Sequence, residues 1–247
     1  MRRLPVGPPL DPVPRLLLFD LDDTLCDYAT ARTRRLEIAF GLSAATDRRP
    51  RDIGRMIADS LAVQPHGVDH FPDLFRRHGI DSAGAAEEAM AWYRTNRFHG
   101  LVMFAEAAAV LADLRRGQLP RGEIGERRIG VITNGPADVQ RTKIELLGVP
   151  DLVDFVVISG EFGIWKPDPA IFHEAFRLGR ARPEEAVYIG DSPEYDIAGA
   201  HAAGVRSVWM NRAGAPWSSS HAPPDREVRS LTDLPHLLGA APLGLAL

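Results

Sequence analysis

The chain has 247 residues, of which 45% are hydrophobic and 25% are charged, and its formal net charge is -4. This length allows one large domain, or a core with a smaller insert. The weak charge gives no strong attraction to nucleic acid or to a membrane surface, and no run of about 18 apolar residues predicts a membrane span. The single cysteine, Cys26, excludes an intrachain disulfide, so we expect a cytoplasmic protein.

Short apolar runs alternate with helical segments over most of the chain. The predicted strands are Leu16 to Asp20, Ile129 to Ile132, Phe155 to Ile158, Ala186 to Ile189, Val205 to Met210 and a short one at Val228. The helices that accompany them are Ala105 to Arg116, Ala137 to Leu147, Pro169 to Leu178, Tyr195 to Ala203 and Leu231 to Leu238. Such alternation indicates βαβ units, and right-handed crossovers then place helices on both faces of a parallel sheet. The predicted fold class is α/β, with a Rossmann-like doubly wound core.

An all-helical block interrupts this alternation directly after the first strand. Its predicted helices are Tyr28 to Phe40 with Gly41 as C-cap, Arg51 to Leu61, Phe71 to His78, and Ala83 to Arg97. We therefore predict a core formed by residues 1–26 and 98–247, with 1–14 as a flexible lead-in, and an inserted helical cap domain over residues 27–97. An insert at this place follows the carboxyl end of the first strand, so it can close over a pocket there as a lid.

Acidic residues stand where the first strand ends. Ligands of open α/β sheets bind outside the carboxyl ends of the strands. Asp20 and Asp22 are two residues apart, so on extended chain both side chains would face one pocket. Together with Asp23 they would repel one another unless a cation neutralised them, and hard cations such as Mg²⁺ take carboxylate oxygens. The alternative is an acidic turn in which Asp22, Asp23 or Thr24 caps a helix.

Three further strand ends carry polar residues. Thr133 and Asn134 follow the second strand, and a hydroxyl beside free backbone N–H groups can bind an anion. Lys166 follows the third strand, between Trp165 and two prolines, and could balance carboxylates and hold a phosphate. After the fourth strand, Gly190 would let the backbone approach a ligand closely, and Asp191 and Asp196 add two carboxylates. Taken singly, the alternatives are helix caps and a solvated lysine, but in a parallel sheet all four ends lie along one edge.

This combination resembles the haloacid dehalogenase superfamily of phosphotransferases, over roughly residues 15–240. The motifs that carry the resemblance are Asp20-Leu21-Asp22-Asp23-Thr24-Leu25, Thr133 with Asn134 and Gly135, Lys166 in the sequence Lys-Pro-Asp-Pro, and Gly190-Asp191 with Asp196. The helical insert is similar to that superfamily's type-1 cap. Members that dehalogenate lack an acid two residues after the nucleophile, so Asp22 points to the phosphatase branch.

The resemblance implies a Mg²⁺-dependent phosphatase that hydrolyses a small phosphate monoester, such as a sugar phosphate or a nucleotide, through an aspartyl-phosphate. In that family pattern Asp20 is the nucleophile and Asp22 the general acid and base. The phosphoryl oxygens would be bound by Thr133, the N–H of Asn134 and Lys166. The metal site would consist of Asp20, the backbone carbonyl of Asp22, Asp191 and Asp196, with Asp196 beside the ion rather than directly on it.

We expect the cap to set substrate specificity. Its candidate residues are Arg32, Arg35, His66, Phe71, Trp92, Tyr93 and Arg97. The alternative is that the aromatics form the core of the cap and the arginines a solvated face. Two other functions remain open, a phosphomutase of the same superfamily and a non-catalytic protein that binds a phosphate ligand. We expect a monomer or homodimer whose partner is a small phosphorylated metabolite.

Overall fold

A six-stranded sheet, in which every strand pair is parallel, forms the centre of the larger part of the fold. The computed structural model describes residues 8–44, 52–63, 67–80, 83–116 and 127–239. The strands are β1 (Leu16–Phe19), β2 (Arg128–Thr133), β3 (Phe155–Ile158), β4 (Ala186–Gly190), β5 (Arg206–Met210) and β6 (Arg226–Val228). Their order in the sheet is β3-β2-β1-β4-β5-β6. This is the strand order of doubly wound Rossmann-like folds, and it confirms the predicted fold class.

The helices among the described residues are α1 (Tyr28–Ala44), α2 (Ile53–Leu61), α3 (Phe71–Arg77), α4 (Ala83–Thr95), α5 (Ala107–Arg116), α6 (Ala137–Leu146), α7 (Ser159–Phe162), α8 (Pro169–Gly179), α9 (Ala198–Ala202) and α10 (Leu234–Leu237). The chain divides into two units, one formed by Met1–Cys26 with Met103–Leu247 and the other by Asp27–Val102. None of these helices combines the length and the apolar character that crossing a bilayer requires.

The first strand is completely enclosed by its neighbours in the sheet. All four of its residues are fully buried, because β1 pairs with β2 on one side and with β4 on the other. Along the chain, β2 and β3 are added on one side of β1, and β4, β5 and β6 are then added on its other side. The boundary between β1 and β4 is therefore the topological switch point, where ligands of such sheets bind.

Several helix ends differ from the predictions by a few residues, and two helices include a glycine that a C-cap signal would place beyond the helix end. Gly41 does not end the first helix, since α1 continues through it to Ala44. Gly179 lies inside α8, packed against the Leu16 side chain, and Arg180 takes the left-handed conformation at φ 51° that was expected of a glycine. In both cases the helix extends further than the glycine signal indicates, because a single glycine in a helix costs only about 1 kcal/mol.

The helical unit has an apolar core of its own. Phe40 packs edge to face against Phe71 and Phe75, with ring centroids 5.0 and 5.5 Å apart, and Phe71 packs in the same way against Tyr93. The other candidate specificity residues differ in exposure: Arg32 and Arg35 are buried, Trp92 is half-buried and Arg97 is exposed. His66 lies outside the described residues. Since Phe71 and Tyr93 contribute to this core, their burial has a structural explanation that needs no ligand.

Candidate active site

A buried lysine joins the ends of three strands. Asp20 directly follows β1 and still donates its backbone N–H to Ile189 of β4, at 2.8 Å. Lys166, which is 3% exposed, places its Nζ 2.6 Å from Asp20 Oδ1 and 2.7 Å from Asp196 Oδ1. The same Nζ lies 2.9 Å from the Tyr188 hydroxyl and 3.1 Å from the Ile132 carbonyl. A buried ammonium group is stable only when it is paired in this way.

The loop that carries Lys166 is fixed by Asn134. The Asn134 amide donates to the Lys166 carbonyl at 3.0 Å, and its oxygen accepts the Lys166 backbone N–H at 2.9 Å. This two-way pairing links the loop after β3 and α7 to the end of β2. The side chain of Asn134 therefore positions Lys166, a role that is separate from the anion contact predicted for its backbone N–H.

A third carboxylate, Asp191, completes an acidic cluster. One oxygen each from Asp20, Asp191 and Asp196 lies within 4.8 Å of the others. Asp196 is held on both oxygens, because Oδ1 accepts from Tyr188 and Lys166 while Oδ2 accepts the Ser192 backbone N–H at 2.9 Å. The five-residue π-helical turn Pro193–Ile197 gives it this position.

Glycine is required at the end of β4 because Asp196 packs against the backbone there. A Cβ added to Gly190 would lie 2.4 Å from the Asp196 carboxyl carbon, closer than any real contact. The Gly190-Asp191 pair of the fourth motif therefore has two separate functions. The glycine admits one carboxylate and the aspartate supplies another.

The cluster is short of positive charge. Burial raises the pKa of the Asp20 carboxyl to about 7; the Lys166 cation opposes this rise, and the neighbouring Asp196 and Asp22 add to it. Burial, followed by repulsion from Asp196 and Asp20, raises the pKa of Asp191 well above its usual range. Burial lowers the pKa of Lys166, but attraction to Asp196 and Asp20 outweighs it, so this pKa is raised. One ammonium does not offset three carboxylates, and a bound cation would stabilise them. The cluster thus fits a divalent metal ion that prefers oxygen ligands.

Asp22 lies apart from these three carboxylates. Its Oδ2 accepts from Lys143 Nζ at 2.6 Å and from Gln140 Nε2 at 3.5 Å. Gln140 also donates to the Thr133 hydroxyl oxygen at 2.5 Å, so one amide connects the acid of the first motif with the hydroxyl of the second. Since that oxygen accepts from Gln140, the Thr133 proton is available for another acceptor.

Sequence reasoning missed three residues of this site: Gln140, Lys143 and Tyr188. A signal for the first two was present in α6. Gln140 stands three residues before Lys143 and four before the buried Ile144, the spacing of one helical face that would be expected to carry apolar residues. All three are buried. Tyr188 has no such signal, since an aromatic residue in a buried strand is ordinary.

Comparison with known proteins identifies the family. The model for haloacid dehalogenase-like hydrolases matches residues 14–204. Phosphoserine phosphatase of Thermus thermophilus is 38% identical over 169 residues, which are 66% of this chain and 64% of that protein, slightly less than two thirds of its length. N-acylneuraminate-9-phosphatase of Mus musculus is 30% identical over 242 residues, 91% of this chain and 93% of that one. The magnesium-bound HAD-hydrolase YfnB of Bacillus subtilis shares the fold, with a TM-score of 0.71 at 24% identity over 91% of this chain and 98% of that one.

The fold and the four strand-end motifs are those of one class of hydrolase. The chain belongs to the haloacid dehalogenase-like hydrolases. Within that family it is a phosphatase, a phosphoric monoester hydrolase, like the two phosphatases described above.

Proposed function

We propose that the protein is a Mg²⁺-dependent phosphatase that hydrolyses a small phosphate monoester through an aspartyl-phosphate on Asp20. The observation that carries the proposal is the position of Asp20, buried at the end of β1, 2.6 Å from Lys166 Nζ and in one cluster with Asp191. A nucleophilic carboxylate needs nearby positive charge before an anionic phosphate can approach it. Lys166 supplies one such charge.

The metal would be held by Asp20 and Asp191. Both oxygens of Asp196 already accept hydrogen bonds, so Asp196 acts beside the ion by fixing Lys166. The Asp22 backbone carbonyl is a further candidate ligand. When bound, Mg²⁺ supplies charge neutralisation between the nucleophile and the phosphoryl group. A magnesium ion also suits a site made of carboxylate and carbonyl oxygens.

In the first half of the reaction an Asp20 oxygen forms a bond to phosphorus and the ester P–O bond breaks. Asp22 gives its proton to the departing alkoxide oxygen. In the second half water attacks the phosphorus of the aspartyl-phosphate, Asp22 accepts a proton from that water, and the Asp20 carboxylate leaves. Thr133, the Asn134 N–H and Lys166 bind the phosphoryl oxygens, whose charge must be offset throughout.

The substrate class is a small phosphorylated metabolite. The two relatives described above are named for phosphoserine and for N-acylneuraminate 9-phosphate, which supports a compact ester rather than a macromolecule. The formal net charge of -4 argues against a nucleic-acid substrate. We propose a cytoplasmic location, in keeping with a single buried cysteine.

Replacing the two acids of the first motif separately tests the mechanism. Both changes to Asn are nearly isosteric. Asp20→Asn removes the nucleophile, so we expect no phosphoenzyme with any ester. Asp22→Asn keeps the nucleophile, and p-nitrophenol leaves readily without a proton donor, so hydrolysis of the aspartyl-phosphate should be the step slowed most, by about 10²–10⁴-fold.

With p-nitrophenyl phosphate, Asp22→Asn should therefore accumulate a base-labile phosphoprotein, visible as an added phosphoryl mass in the intact protein. Asp20→Asn should show no added mass. Phosphorylation of Asp20→Asn, or its turnover at the wild-type rate, would reject Asp20 as the nucleophile. Wild-type enzyme should release free phosphate in proportion to p-nitrophenol. Transfer between two positions of one sugar with little release would indicate a mutase instead, and binding without any turnover a non-catalytic protein.

A further inference from the structure

A buried lysine outside the four motifs contacts the acid–base candidate. Lys143 lies in α6, one turn after Gln140, and the two residues are 4% and 1% exposed. Residues three apart in a helix share a face. Lys143 Nζ is 2.6 Å from Asp22 Oδ2, whereas the ammonium groups of most lysines remain in water. Burying this cation is costly unless a partner is well placed, and the Asp22 carboxylate lies at ion-pair distance from it.

The contacts to Asp22 distinguish its two oxygens. Oδ2 accepts from Lys143 and lies within reach of the Gln140 amide. Oδ1 lies 3.6 Å from Cys26 Sγ, and a thiol is a weak donor. The carboxylate is therefore fixed through Oδ2, and Oδ1 is the more weakly hydrogen-bonded of its two oxygens. Asp22 also retains partial exposure, with 24% of its side chain accessible.

We infer that Lys143 is a positioning residue for proton transfer by Asp22. By fixing Oδ2, Lys143 directs Oδ1 toward the leaving-group oxygen, which receives a proton from Asp22 in the first half-reaction. In the second half-reaction the same Oδ1 faces the attacking water and accepts a proton from it. The inference rests on the proposed acid–base role of Asp22. Displacing a catalytic group by about 1 Å can cost 10²-fold in rate, so this one contact has a measurable effect.

The test compares esters that differ in their need for a proton. Lys143→Met removes the cation at similar length, and Lys143→Gln keeps a donor without the charge. The matched control is Arg141→Met, two residues earlier on the exposed face, where Arg141 pairs with Glu161. We measure kcat and KM for p-nitrophenyl phosphate and for an alkyl phosphate that the wild type hydrolyses.

For the alkyl phosphate, both Lys143 variants should lose about 10- to 100-fold in kcat with little change in KM, because an alkoxide leaves poorly without a proton. In single-turnover experiments, formation of the phosphoenzyme from p-nitrophenyl phosphate should be less affected. The control should match the wild type. If Lys143 only supported the fold, the rate of phosphoenzyme formation in single-turnover experiments would fall by the same factor with both esters, and that result would overturn the inference. Should Lys143→Met fail to fold, Lys143→Gln answers the same question.

A double variant separates this inference from the mechanism on which it rests. If Lys143 acts through Asp22, adding Lys143→Met to Asp22→Asn should cost little further rate on the alkyl ester. Multiplied losses would overturn the inference. Wild-type rates for Asp22→Asn alone would reject the proposed acid–base role itself. An impaired Asp22→Asn beside fully active Lys143 variants would reject the role of Lys143 and leave the proposed function intact.

Discussion

At the scale of single residues, the acids and Lys166 could be found from the sequence, and the partners of Asp22 could not. Asp20 and Asp191 follow buried apolar runs directly, so strand-end reasoning reaches them. Lys143 stands 121 positions after Asp22, and nothing local to either residue indicates that they meet. Contacts of this kind depend on how α6 packs after β2, which the hydrophobic pattern alone does not determine.

The first prediction concerns Asp191, which we propose as a metal ligand. Asp191→Asn removes one carboxylate from the proposed Mg²⁺ site without removing a partner of Lys166. Activity on p-nitrophenyl phosphate should fall and recover in part at high Mg²⁺, because a weakened site fills again by mass action. A magnesium titration of activity measures this. Asp151→Asn, at an exposed position, is the control. An unchanged magnesium dependence in Asp191→Asn would remove Asp191 from the site.

The second prediction concerns the buried ion-pair network around Lys166. Lys166→Met leaves Asp20 and Asp196 buried without their shared cation, and breaking a buried pair costs about 3–5 kcal/mol. Urea unfolding in the presence of a chelator should show a loss of this order. Adding Asp196→Asn removes one of the stranded charges, so the double variant should be more stable than Lys166→Met. If it is less stable, Asp196 stabilises the fold by another route.

At the scale of elements, the sequence predicts that an element exists, and whether it is a helix or a strand, better than it predicts where the element begins and ends. The strand Phe155–Ile158 has the predicted bounds, since a continuous apolar run has sharp limits. The segment from Tyr195 was expected to be an ordinary helix, but it begins with a π-helical turn at Pro193. That turn brings Asp196 back onto Ser192 and Lys166. The ion pair between Asp196 and Lys166 spans 30 positions of the chain, and no local propensity encodes it.

Gly41 provides a test at this scale. A Cβ at Gly41 would meet no heavy atom within 4 Å, and α1 continues past it. Gly41→Ala should therefore stabilise the protein by about 0.5–1 kcal/mol. Gly148 is the matched control, since it is equally open but lies at φ 65°. There, alanine should destabilise by about 1–2 kcal/mol. Both are measured by chemical unfolding. If Gly41→Ala destabilises as Gly148→Ala does, the first helix ends where the glycine signal predicted.

At the scale of the whole molecule, the chain forms a core and an insert, each with its own hydrophobic cluster. The division was visible in the sequence because helices without strands interrupt a strict alternation. The structure sets the division at Asp27 and Val102. The segment after Arg97 contains turns and a single bridge at Met103 rather than a strand, which is why periodicity alone does not locate its end.

The last prediction removes the insert. Its two ends are adjacent: Asp27 N–H donates to the Val102 carbonyl at 3.0 Å, and Cys26 pairs with Met103 in an antiparallel bridge. Replacing residues 27–102 with a short glycine linker can therefore join the core without stretching it. Because the acids and Lys166 all belong to the core unit, we expect the shortened protein to fold and still to hydrolyse p-nitrophenyl phosphate.

Selectivity is the quantity that should change in the shortened protein. We propose that the insert sets specificity, so the spread of kcat/KM across a panel of phosphorylated metabolites should shrink by about tenfold or more, a typical contribution of a few specific contacts. The control is Glu87→Gln, at an exposed position of α4 in the insert, which should leave the ranking of substrates unchanged. If the shortened protein hydrolyses the panel in the same order and with the same spread as the full chain, specificity resides in the core, and the search for it returns to the side chains around Asp20 and Lys166.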